Sequence, residues 1–280
     1  MLWTLCVYLS INPIPPGKAE LQLMLDDLPL TVYTYRPANY DGGPLVMIFH
    51  GILRNADEYR DHSTAMGDRF GALIVAPKFD EERFPKAKYQ YGGIVEDGKA
   101  VPVGARTGAL VPKIAAEIRR REQQPDLPYY LVGHSAGGQV LFRSAAFTPL
   151  GARGIVAANS GTLTFPRRDW EYPYGLDGLP EELTGDEQLK QFLAQPLTLY
   201  LGLADTVRDE WLDVSPEADR QGLVRLDRNR AGFEAWKALA KERGWEFRWR
   251  IVSADGVDHD HEKMFNHPQM QAALFRESDK

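Results

Sequence analysis

The stretch "YYLVGHSAGGQVLF", residues 129–142, limits the possible folds more than any other. An apolar run from Tyr129 to Val132 meets Gly133-His134-Ser135-Ala136-Gly137, and an apolar, helix-like segment with Val140, Leu141 and Phe147 follows. A serine flanked by glycines two positions either side, at a strand-to-helix junction, marks a turn so sharp that side chains at 133 and 137 would collide. Such a turn holds the serine in a strained backbone conformation. It also presents the hydroxyl at the positive end of a helix, where developing negative charge is favoured. The short glycine pattern recurs by chance, so its context decides, and that context demands a buried parallel sheet elsewhere in the chain.

The remaining segments supply one. "PLVMIFHG" (44–51), "ALIVAP" (72–77), "GIVAANSG" (154–161) and "LTLYLG" (197–202) are continuous apolar runs bounded by glycine or proline, as strands covered on both faces would be. "ELQLML" and "LTVYTYRP" read as an antiparallel pair turning at Asp26-Asp27, and the alternating "EFRWRIVS" (246–253) suits a strand nearer the sheet edge. Between them, 107–123 repeats Leu110, Ile114 and Ile118 on one helical face and ends in Arg119-Arg120-Arg121. Residues 230–243 carry a stripe of Phe233, Trp236, Leu239 and Ala240, stopped by Gly244. Alternating strand and helix with an antiparallel start predicts one α/β domain with a mostly parallel sheet.

Composition narrows the partners. The net charge of −6 disfavours nucleic acid and anionic membrane surfaces. A single cysteine, Cys6, excludes an intrachain disulfide. Nothing approaches the length of a membrane-spanning run. Residues 1–19 read as a tail, a first strand or the remnant of a secretion signal, with the domain over 20–280; localisation and oligomeric state stay open. Residues 162–195 break the alternation, with Pro166, Pro173 and Pro180 and the aromatics Phe165, Trp170, Tyr172 and Tyr174. A long irregular stretch in a compact domain is usually functional. It is expected to form a cap over the serine, with Trp170, Tyr172 and Tyr174 offering apolar area and polar tips to a substrate.

A serine becomes a nucleophile when a base takes its proton, and the base needs a carboxylate to orient it. In chain order Ser, Asp, His, the acid falls just past a buried strand at Asp205, with Asp209 and Glu210 as neighbours. The base falls in "DGVDHDHEKMFNHP" (255–268), after the last strand. His259 comes first after the glycine turn and can reach back over the sheet. His261 would open a helix, and His267 precedes Pro268. A zinc-peptidase H-E-x-x-H pattern fails because Phe265 stands where the second histidine belongs, so no metal is expected. Two backbone N–H groups, of Ala136 and of Ile52 after His50-Gly51, are the candidate oxyanion donors.

Taken together, "FHG", "GHSAGG", "GLADT" and "GVDHD" resemble the α/β-hydrolase superfamily over roughly residues 20–275. "HGILRNADEYRD", "EYPYGLDG" and "GVDHDHEKMF" are similar to bacterial polyhydroxybutyrate-depolymerase-like and feruloyl-esterase-like hydrolases. The resemblance implies the α/β-hydrolase fold with an eight-stranded sheet, a serine-esterase mechanism, no cofactor, and a small-molecule or polymeric ester as substrate. Two alternatives stand beside it: a small peptidase or amidase of prolyl-oligopeptidase type, and a non-catalytic binding protein on the same fold. The first usually carries a bulky access domain and the second usually lacks a triad residue.

Overall fold

The computed structural model describes residues 12–276. Its centre is an eight-stranded sheet in the order β1-β2-β4-β3-β7-β8-β9-β10. Strands β1 (Gly17–Leu25) and β2 (Leu28–Arg36) pair antiparallel in register from Gly17↔Arg36 to Leu25↔Leu28. They turn at Asp26-Asp27, where Asp26 takes φ 53°. β2 is also antiparallel to β4 (Leu73–Pro77), and every later pairing is parallel. β3 (Leu45–Phe49), β4, β7 (Tyr129–His134), β8 (Gly154–Ala158) and β9 (Leu197–Gly202) are buried at every position. That is why their sequences run apolar without alternation.

The last strand is shorter than its sequence pattern. β10 spans Arg250–Ala254 at the sheet edge, whereas a strand was expected from Glu246. Trp249 leaves the ladder because its ring is buried and its Nε1 donates to the Phe192 carbonyl at 3.0 Å. A two-residue hairpin, β5 (Val95–Glu96) and β6 (Lys99–Ala100), lies outside the sheet.

Helices cover both faces. α1 (Ala56–His62), α2 (Thr64–Phe70), α9 (His261–Asn266) and α10 (Met270–Leu274) enclose one apolar layer, which includes Tyr59, Met66, Met264 and Leu274. α3 (Leu110–Glu122), α4 (Ala136–Phe147), α6 (Asp186–Leu193) and α8 (Arg225–Arg243) enclose the other. Short helices α5 (Glu181–Thr184) and α7 (Pro216–Asp219) sit in connections. α3 buries the expected Leu110, Val111, Ile114, Ala115 and Ile118. α8 starts at Arg225, before the expected residue 230, because its first turns bury Arg225, Arg228 and Asn229. An apolar periodicity cannot register a polar buried face.

The chain start also differs from expectation. The boundary placed at residue 19 falls inside β1, and Ile14 is already buried, its N–H donating to Glu122 Oε1 at 2.8 Å. Residues 1–11 of that segment lie outside the described residues. Among the described residues no helix is long and apolar enough to cross a membrane. The parallel strands β3, β7, β9 and β10 deliver Ile52, Ser135, Asp205 and His259 from loops at one edge of the sheet. This is where parallel α/β sheets place their ligands.

Candidate active site

Ser135 adopts φ 57° and ψ −117°, a conformation costly for a residue with a side chain. The glycines make it possible. A Cβ on Gly133 would stand 2.2 Å from the Gly137 carbonyl oxygen, and one on Gly137 would stand 2.1 Å from the Phe49 carbonyl oxygen. Gly138, which the sequence pattern does not single out, has the same role: its Cβ would meet Ser160 Oγ at 2.5 Å. The Ser135 N–H donates to Ala158 O at 2.9 Å, fixing the turn to β8.

Asp205 and His259 meet across the loops after β9 and β10. His259 Nδ1 lies 2.7 Å from Asp205 Oδ2, and the aspartate is 2% exposed. The second oxygen, Oδ1, is 3.5 Å from the guanidinium of buried Arg225. Asp209 is committed elsewhere. Its two oxygens accept from Arg225 at 2.6 and 2.7 Å, and that cation holds its carboxyl below the usual range. Glu210 is exposed. Asn159 ties the two loops together: its Oδ1 accepts from Gly202 N–H at 2.8 Å and its Nδ2 donates to Asp258 O at 3.2 Å.

Other histidines wall the site. The His134 ring lies 4.5 Å from that of His259, and complete burial holds its pKa well below the ordinary histidine value. It therefore stays neutral behind the His259 ring. His261 opens α9, as expected, and its ring stacks on Tyr59 at 3.9 Å with 5° between planes. Burial pushes His261 down to about 4. His267 ends α9 and its Nδ1 accepts from Gln269 N–H, away from the site.

Ser135 lines two cavities that share Ile52 and Trp211. One, of about 210 Å³, is also lined by Leu53, Tyr59, His134 and His259. The other, of about 220 Å³, is lined by Lys86, Gln90, Gln139 and Asp213 among others. Ile52 is 37% exposed there, and Ala136 is the first residue of α4, where no helical carbonyl reaches its N–H. Gln90 and Gln139 are each 7% exposed. Gln139 Oε1 accepts from Thr162 Oγ1 at 2.9 Å and from Arg143 Nη1 at 3.3 Å, which leaves Nε2 to face the cavity. The same buried Arg143 donates to the Gln90 carbonyl, whose side-chain amide has no protein partner among the described residues.

The expected cap residues do not line either cavity. Trp170 packs 5.4 Å from Phe165, and Tyr172 donates its hydroxyl to Tyr91 O beside Phe147. Tyr174 donates to Asp213 Oδ2 at 2.8 Å and so acts one layer behind the cavity wall. The aromatics of 162–195 hold the insert to the body. The aromatic that does line both cavities is Trp211, 51% exposed, in the connection between β9 and α8. Nothing periodic in that connection marks Trp211; Arg225, Asn159 and the two glutamines were likewise invisible as site residues.

This strand order and the serine turn at the sheet's carboxyl edge define an α/β hydrolase, and the chain belongs to that superfamily, in its esterase-like family. It is similar to the poly(3-hydroxybutyrate) depolymerase LpqC of Bordetella parapertussis, at 33% identity over 94% of this chain and 92% of that one, TM-score 0.84. It is also similar to poly(aspartic acid) hydrolase-1 of Sphingomonas sp. KT-1, at 30% identity over 90% and 96%, TM-score 0.82. An S-formylglutathione hydrolase of Agrobacterium tumefaciens shares the fold at 15% identity over 91% and 93%, TM-score 0.55. No protein-family model and no curated protein matches the chain. These relatives are hydrolases, and so is this protein.

Proposed function

We propose that the protein hydrolyses carboxylic esters through an acyl-enzyme on Ser135. The contact between His259 Nδ1 and Asp205 Oδ2 at 2.7 Å, over a cavity shared by Ser135 and His259, carries this reading. Asp205 fixes the tautomer, so Nε2 is free to take the Ser135 proton as Oγ attacks the carbonyl carbon. Negative charge gathers on the carbonyl oxygen, which Ile52 and Ala136 N–H would receive; each such donor is worth roughly 3 kcal/mol. Collapse breaks the ester C–O bond, and the imidazolium returns its proton to the leaving alkoxide. Water, deprotonated by the same imidazole, then attacks the acyl carbon and frees Ser135.

The cleft suits an oligomeric or polymeric ester. Leu53 and Trp211 give an exposed apolar rim, and the amide ends of Gln90 and Gln139 can meet oxygen atoms of a neighbouring repeat. One relative is named for a polyester. A second reading, amide cleavage, is favoured by the relative named for poly(aspartic acid). Turnover of p-nitrophenyl acetate, an oligomer of 3-hydroxybutyrate and a matched amide, with Ser135→Ala as control, separates them. Ester turnover that is abolished by Ser135→Ala supports the proposal. Amide turnover exceeding ester turnover would move it to the second reading, and an active Ser135→Ala would end both.

A further inference from the structure

We propose that Glu58, His62 and His261 form a binding site for a divalent transition-metal ion of the zinc type, beside the Ser135 cavity and separate from its chemistry. The observation is the mutual placement of three atoms. His62 Nδ1 and His261 Nε2 are 2.9 Å apart, and Glu58 Oε1 lies 4.0 Å from the first and 3.8 Å from the second. A point equidistant from all three lies roughly 2.1 Å from each, the ordinary Zn–N and Zn–O bond length. Two imidazoles with one carboxylate suit Zn²⁺, Cu²⁺ or Ni²⁺ rather than Mg²⁺ or Ca²⁺, which prefer oxygen ligands.

The surroundings hold each donor in place. Glu58 and His62 are four apart on α1 and so share one face. The His261 ring is clamped flat against Tyr59. The other nitrogen of His62, Nε2, stands 3.6 Å from Glu262 Oε2, the carboxylate position that orients a ligating histidine. Asn55 Nδ2 donates to Glu58 Oε2 at 2.7 Å, leaving Oε1 for the ion. Asn266 Nδ2 donates to both His62 O and Glu262 O, fixing α9 against α1 before any ion arrives.

Without an ion, two ring nitrogens 2.9 Å apart are compatible only if one proton lies between them. The ion would take that proton's place, and the proton moves to the other nitrogen of the same ring, so both histidines bind as neutral imidazoles. Glu58 and His261 also line the cavity of Ser135, so the fourth coordination position, taken by water, opens towards it. Because His261 follows His259 by two residues, a bound ion would tie the segment carrying His259 to α1. The ligands come from positions 58, 62 and 261, so no short motif announces them.

The test uses the full chain, freed of metal with a chelator and titrated with Zn²⁺ by calorimetry and with Co²⁺ by visible absorption. The expected result is one ion per chain, with d–d bands of a low-symmetry N/O site. His62→Gln should abolish both signals, Glu262→Gln should weaken affinity about tenfold or more, and His267→Gln should change neither. Zn²⁺ should raise the melting temperature of the wild type and leave that of His62→Gln unmoved. Circular dichroism of metal-free His62→Gln, whose amide can still bond His261, checks that the fold is kept. No saturable uptake by the wild type, or equal uptake by His62→Gln, would overturn the proposal. None of these readouts depends on ester turnover.

Discussion

Arg225 grips Asp209 with two hydrogen bonds, at 2.6 and 2.7 Å, reaches Asp205 Oδ1 only at 3.5 Å, and leaves Asp205 Oδ2 to His259. The two aspartates therefore divide one buried cation and one imidazole between them. Asp205→Asn should keep the fold and lower kcat by about four orders of magnitude, because the imidazole loses its orienting charge. Asp209→Asn should lower stability more than kcat. Stopped-flow ester kinetics on both variants, with melting curves, checks this; an inactive Asp209→Asn beside a near-normal Asp205→Asn would transfer the acid's role to 209.

Arg225→Gln should be the more damaging change to the body of the protein. It leaves Asp209, bonded at 2.6 and 2.7 Å, and the buried carboxylate of Asp205, 3.5 Å away, without their shared cation, and breaking a buried pair costs about 3–5 kcal/mol. Urea unfolding should show the loss. A variant as stable as the wild type would mean that Arg225 contributes nothing to holding the loop.

Gly137→Ala should fail to fold or melt far below the wild type. Its Cβ would stand 2.1 Å from the Phe49 carbonyl oxygen, and backbone cannot yield there without opening the β3–β7 pairing. Expression, circular dichroism and a thermal scan would decide; a native melting point would mean that the turn has room to shift.

His50 sets an acid limit. It is fully buried, its Nε2 accepts from Phe79 N–H at 3.1 Å and its Nδ1 bonds Gly51 O at 2.9 Å, so only the neutral ring fits; burial holds its pKa down to about 3. The unfolded chain takes up this proton below about pH 6.5 while the folded one does not. Stability is therefore complete above that pH and lost as pH falls towards 3, by about 2 kcal/mol between pH 6.5 and 5. His50→Gln, which retains an acceptor for Phe79, should flatten this part of the stability-against-pH curve. An unchanged slope from pH 7 to 5 would show that His50 does not contribute.

Substrate recognition should follow Trp211 and Gln139, not the aromatics of the insert. Trp211→Ala and Gln139→Leu should raise KM several-fold for an oligomeric hydroxyacyl ester and little for p-nitrophenyl acetate. Trp170→Ala should leave both KM values alone and lower the melting point, by roughly 2–4 °C for each kcal/mol lost. The opposite pattern, with KM moved by Trp170→Ala alone, would return the substrate to the insert.

The sequence displays the serine turn clearly because steric exclusion permits only glycine at 133 and 137, and buried parallel strands permit only apolar runs. Asp205 could be singled out because it follows such a strand, β9, within a few residues, and His259 because it follows the last, edge strand β10. Trp170 and Trp211 could not be told apart in the same way. An aromatic packed on Phe165 and an aromatic facing a cavity have the same composition around them, and only tertiary contact separates them. Glu58 and His62 find His261 only in the folded chain, where His62 and His261 meet across 199 positions. Arg225 looks like an ordinary surface charge until the start of α8 is seen to point inward.

Trp211, Leu212 and Asp213 line the serine's cavity from a connection that begins at Asp205 and ends in the anchor Arg225. On the proposed reading, the cavity wall and the catalytic acid are therefore carried on one continuous ribbon of about twenty residues. A loop exchanged from a relative would have to bring its own arginine at the helix start, or the incoming wall would pull the acid out of line. If the proposed reading holds, selectivity is retuned more safely by single side chains on the ribbon than by replacing its backbone.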